Sequence, residues 1–236
     1  MEGLRDDSPG AAGGPAVTNG APRRIFLLSP ASCAGQRARM LFNPQASFEL
    51  ARAVRTSAGV PLGQVFSFLS GLYFRGKLEY ASTWAAPPDG TPGVFIMTAG
   101  DGLCLPQTRV GIDLLARWAA TPIDVREPRY TEPLRRDART LASSIGDRPC
   151  EIVLLGSVAT GKYVDLLQEV FGARLVFPVE FVGRGDMSRG GLLLRSARDR
   201  RELLYQPVAG AIRHGARPPR LIPRPGILGT TLRRSR

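Results

Sequence analysis

The sequence predicts an α/β protein: one three-layer domain with a mainly parallel sheet, flanked by a disordered leader and a basic tail. Two observations carry this. Short apolar runs, "RIFLLS" (24–29), "GVFIMTAG" (93–100), "CEIVLLG" (150–156) and "RLVFPVEF" (174–181), recur along the chain, and segments with helical patterns fall between them. Strands separated by helices imply parallel pairing through right-handed crossovers. The 236 residues, 43% of them apolar, are enough for one large domain or two small ones with a real core.

Taken in order, residues 1–22 are dominated by Gly, Ala, Pro and polar residues, which cannot bury enough apolar area to offset their conformational entropy. The folded part is expected over 23–212. It starts with the strand 24–29, followed by a helix-like stretch around "FELARAVRTSA". Residues 62–85 read as one or two helices, with Gly71 and Gly76 as breaks. After the second strand come helices at "GIDLLARWAA" and "EPLRRDARTLASSIG", the latter stopped by Gly146. The third strand leads into a helix through "YVDLLQEVFG", then a fourth strand. "ELLYQPVAG" suits a last edge strand, because Pro207 fits an edge better than a centre. Residues 213–236 contain several prolines and no clear period, and read as an extended basic tail.

Charge narrows the function. There are 32 basic and 20 acidic side chains, a net of +12, and all the basic residues but Lys77 and Lys162 are Arg. A basic surface raises the local concentration of phosphate-bearing partners, so a nucleotide or nucleic acid is the expected partner. Cys33, Cys104 and Cys150 have neither disulfide-framework nor metal-ligand spacing, which suits a reducing cytoplasm. The N-terminal stretch has no apolar core of a secretory signal, and no run approaches membrane-spanning length, so no membrane partner is expected. His214 is the only histidine, which argues against a His-ligated metal and against a Ser–His pair; no metal and no cofactor are expected.

Ligands in open parallel sheets bind beyond the carboxyl ends of the strands. Four loops fall there: "LLSPASCAG", "IMTAGDG", "LLGSVATGK" and "EFVGRGDMSRGG". "GSVATGKY" (156–163) is one residue short of the phosphate-cradling signature, since Tyr163 stands where the magnesium-holding hydroxyl belongs. It is read as a damaged ATPase loop, another anion-binding turn or a structural turn. In the middle reading Gly156, Ser157 and Lys162 bind the anion, with Ser157 or Thr160 also capping the helix. "GRGDMSRGG" (183–191) reads as a glycine-rich loop whose amides and Arg184, Ser188 and Arg189 clamp an oxyanion, or as a flexible surface loop. Ser29 and Ser32 complete the anion-binding set. Asp101 and Asp186 are the candidate general acid/base residues, with turn capping and an Arg partner as their bland alternatives. Cys33 lacks a histidine partner for a nucleophilic role. Tyr73, Phe74, Tyr80 and Trp84, interleaved with Arg75 and Lys77, suit base stacking or ordinary core packing.

"LLSPAS" and "FLSGLYFRGK" resemble the "ISPAK" and "LSGLYG" segments of the YaaA peroxide-stress family, while "KLEYA" stands where that family continues "LRPLD". The resemblance implies an α/β fold with a cleft and DNA binding. "GRGDMSRGGLLLR" is similar to a block in uncharacterised bacterial proteins. Three functions are therefore expected candidates: a nucleotide- or nucleic-acid-binding protein acting on a base or phosphoryl group, a non-catalytic DNA-binding stress protein, and a metal-free hydrolase or transferase of a small anionic metabolite.

Overall fold

The computed structural model describes residues 22–159, 161–219 and 221. The expected leader lies outside these apart from Pro22, as does most of the tail beyond Pro219. At the centre stands β1 (Arg23–Leu28), in which Ile25 to Leu28 are wholly buried. Consecutive apolar residues send side chains to both faces, which only a strand covered on both sides can accommodate. β1 pairs in parallel with β3 (Val94–Met97) on one side and β6 (Cys150–Leu155) on the other, and β6 pairs in parallel with β7 (Leu175–Pro178). Two short antiparallel strands, β4 (Leu103–Cys104) beside β3 and β8 (Tyr205–Pro207) beside β7, complete a sheet of order β4-β3-β1-β6-β7-β8. A separate ribbon pairs β2 (Val60–Pro61) with β5 (Arg109–Val110).

The helices are α1 (Gln36–Phe42), α2 (Glu49–Ala53), α3 (Leu62–Ser70), α4 (Leu72–Trp84), α5 (Ile112–Ala119), α6 (Pro128–Ile145), α7 (Gly161–Phe171) and α8 (Asp186–Arg198). The connection from β1 to β3 runs toward one edge of the sheet and that from β6 to β7 toward the other. Right-handed crossovers therefore put α4 and α7 on opposite faces. The packing agrees: α4 lies on β1 and against α3 and α8, whereas α6 lies against α7, which covers β7. This is the expected three-layer arrangement.

Two expectations need correction. Gly76 does not break a helix, and residues 183–191 are not a glycine-rich loop, because α8 begins at Asp186 and takes in Ser188, Arg189 and both following glycines. The glycines are there for proximity. A Cβ on Gly76 would lie 2.6 Å from the Gly190 carbonyl oxygen, and one on Gly190 would lie 2.7 Å from Tyr73 Cα. Helices α4 and α8 thus meet backbone to backbone, which brings Tyr73 and Lys77 alongside Asp186 and Arg189. Gly71, at φ 60°, is the actual break between α3 and α4.

The far edge is tied to the centre by Arg24. Its Nε donates to Glu151 at 2.7 Å, its Nη1 to Glu202 at 2.8 Å, and its guanidinium stacks 5.1 Å from the Tyr205 ring centroid. Residues 213–219 run without regular structure: Arg213 pairs with Asp165 at 3.7 Å, and Arg184 Nη1 donates to the Pro219 carbonyl at 3.4 Å.

Candidate functional site

β1 and β6 are neighbours whose exits diverge, the chain leaving β1 toward β3 and β6 toward β7. Diverging exits open a gap at the carboxyl ends of the two strands, the usual ligand position in open α/β sheets. A crevice of about 520 Å³ lies there, lined by Ser29, Ser32, Ser70, Tyr73, Ser157, Lys162, Tyr163 and Asp186 among others. Its size is that of a small-molecule site.

Of the residues expected from the sequence, Ser29, Ser32, Ser157, Lys162 and Asp186 come together on this lining. Ser29 is 6% exposed at the end of β1, while Ser32, Lys162 and Asp186 are exposed at the rim. Gly156 sits beneath: a Cβ there would stand 2.8 Å from both Ser29 Cβ and Tyr163 Oη, so only glycine lets the two elements close. Thr160 lies outside the described residues.

The other candidates go elsewhere. Asp101 caps the tight turn between β3 and β4, its amide donating to Thr98 Oγ1 at 2.9 Å and its carboxylate accepting from the Trp118 indole N–H. Arg189 is 6% exposed and turned into the protein, with Nε and Nη2 donating to the Phe181 carbonyl at 3.3 and 3.0 Å. Arg184 and Ser188 line a different groove, shared with Arg195 and Leu221. The expected clamp of Arg184 and Arg189 on one anion does not form: once 186–198 is helical, Ser188 and Arg189 point about 100° apart around its axis.

Tyr163 resolves the near-match to an ATPase loop. Its hydroxyl accepts from the Ser157 N–H at 2.7 Å, so the amide that such a loop would offer to phosphate is already satisfied from within. The Tyr163 ring is buried and its pKa is raised by that burial. The turn is therefore closed by a phenol where a phosphate loop would hold a magnesium-bound hydroxyl.

The residue that sequence reasoning placed among stacking candidates and left out of the site is Lys77. It is 1% exposed, directly beneath Ser29, and its Nζ lies 2.6 Å from the Ser29 carbonyl oxygen and 2.9 Å from Ser29 Oγ. The rings of Tyr73 and Phe74 flank it at 4.6 and 4.8 Å. Burial pushes its pKa down from 10.5 to about 7; Asp186 opposes the shift and Arg189 adds to it. Tyr73 supplies a second unusual group: its hydroxyl is buried beside the Arg189 guanidinium, and burial raises its pKa against the pull of that charge. Cys33 is a poor nucleophile, because burial pushes its thiol up to about 12.

Among the described residues no group of three or more His, Cys, Asp or Glu is arranged to hold a metal ion, and no helix is long and apolar enough to cross a membrane. Comparison with protein-family models, with curated proteins and with solved structures gives no match for the chain.

Proposed function

We propose that the crevice binds a nucleotide, free or as a unit of a nucleic acid, and that the protein acts on it there. The observation that carries this reading is the meeting of three strand-end serines, Lys162 and Tyr73 at the divergence of β1 and β6. Ser32, Ser157 and Lys162 at the rim suit a phosphate, and the Tyr73 side suits the uncharged part of the ligand. Asp186 is the acid on the lining and takes the acid/base role. The three free cysteines fit a cytoplasmic setting, and the likeness to the YaaA family favours DNA over RNA as the polymer.

The test is a thermal-shift screen of nucleotides, nucleosides and short oligonucleotides. A ligand at 100 times its Kd stabilises the fold by about 2.7 kcal/mol, and Lys162→Ala is expected to weaken a phosphate-bearing ligand and leave a nucleoside unaffected. No shift with any of them at millimolar concentration would overturn the reading.

A further inference from the structure

We infer that Ser29 and Lys77 form a nucleophile–base pair that hydrolyses or transfers an acyl group carried by the ligand of the crevice. The phosphate-bearing nature of that ligand rests on the reading above; the pair itself does not.

The geometry is that of an activated serine. Both atoms within hydrogen-bond distance of Lys77 Nζ belong to Ser29, the carbonyl oxygen at 2.6 Å and Oγ at 2.9 Å. The first contact fixes the amine by donation. In the second, Nζ donates to Oγ when charged; once the amine is neutral the contact reverses and its lone pair accepts from the hydroxyl, which is the arrangement a general base needs. Serine–lysine pairs of this kind can replace the serine–histidine pair, and this chain has no histidine to offer except His214, which lies among the residues following the last strand.

The surroundings favour the neutral amine. Lys77 is wholly buried, and the carboxylate nearest in effect, Asp186, lies 3.5 Å from Arg189 Nη1; the Tyr73 and Phe74 ring faces favour the ammonium, but burial outweighs them. The charged groups that face it are Asp186 and Arg189 from α8, of opposite sign, and its titratable neighbour is Tyr73 on α4, while Tyr163 on α7 hydrogen-bonds Ser29. A permanently charged ammonium buried without a carboxylate partner would cost several kcal/mol. Ser29 meanwhile lines the crevice at 6% exposure and is the residue through which this buried base would reach a ligand.

The chemistry balances with water as the only co-reactant. Ser29 Oγ bonds to the acyl carbon while its proton passes to the Lys77 amine, and the carbonyl π pair moves onto oxygen. The tetrahedral centre collapses, breaking the bond to the leaving oxygen, which takes the proton from the Lys77 ammonium. Water then attacks the acyl-serine, giving its proton to Lys77, and Ser29 Oγ leaves and recovers that proton.

The test treats the full chain with a small dialkyl fluorophosphonate and follows mass gain by intact mass spectrometry and peptide mapping. Labelling is expected at Ser29, with a rate that climbs through pH 7 and levels off above it. Ser29→Ala should abolish it. Lys77→Met should slow it at least about 100-fold, and so should Lys77→Arg, which keeps a donor to the Ser29 carbonyl but cannot act as a base. Should either lysine variant fail to fold, the pH profile of the natural chain decides. No labelling, labelling away from Ser29, or a pH-independent rate would reduce Lys77 to a structural donor. Labelling needs no nucleotide, so its failure beside a nucleotide-induced thermal shift sinks the pair and spares the binding reading. The reverse result does the opposite.

Discussion

Lys77 occupies a position where the rest of the chain would lead one to expect arginine, since every other basic residue except Lys162 is Arg. Arginine cannot lose its charge in a protein, whereas a buried lysine can. Its titration gives a stability prediction. Lys77 titrates near 10.5 in the unfolded chain and near 7 in the folded one. Between those values the unfolded chain holds a proton that the folded chain lacks, so stability rises with pH, by at most about 1.4 kcal/mol per unit. Cys33, raised from 9.0 to about 12, has the opposite effect above pH 9, so the clean window runs from pH 7 to 9. Urea unfolding across that window should show a rising midpoint in the natural chain and a shallower one in Lys77→Met; equal slopes would place the dependence elsewhere. At this scale the sequence was readable where a side chain's position follows from a strand's end, as for Ser29, Ser32 and Ser157. It was unreadable where direction depends on a helix starting one residue earlier or later, as for Ser188 and Arg189. Lys77 was hidden because a lysine among aromatics in a helix has the same pattern whether its amine reaches solvent or is buried.

Elements were more legible than residues. Long apolar runs and helical periodicity located β1, β3, β6, β7 and the longer helices, and Pro207 marked the β8 edge. Strands β2, β4 and β5, of 2 residues each, are too short to show any alternation. Glycine misled in one way: its signal for a turn is the same as its signal for close approach. The α4–α8 crossing makes that distinction measurable. Gly190→Ala puts a methyl 2.7 Å from Tyr73 Cα and 2.8 Å from the Leu72 carbonyl oxygen, both backbone atoms that cannot rotate away. We expect a loss of about 1–3 kcal/mol in urea unfolding. Gly185→Ala, with nothing within 4 Å of the new atom, should change stability by less than about 0.5 kcal/mol. Because the crossing also sets the distance from Asp186 to Tyr73, Gly190→Ala should weaken ligand binding in the thermal-shift screen as well.

For the molecule as a whole, the +12 charge separates two kinds of binding. A nucleotide in the crevice needs Lys162 and the strand-end serines. A polymer also senses the remaining arginines, four of which, Arg224, Arg233, Arg234 and Arg236, follow the described residues. Deleting 222–236 should therefore flatten the slope of log K against log salt for DNA, by up to about 0.9 per arginine engaged, and leave mononucleotide affinity as it was. Equal losses for both ligands would tie the tail to the crevice instead. Scale also bears on how copies of the chain can meet. The sheet ends on one side in β4, 2 residues long, and on the other in β8, 3 residues long and finished by Pro207. Among the described residues, neither border offers a long row of free amides and carbonyls to a neighbour. Among the described residues, fibre-like stacking through strand addition has no long free edge to build on.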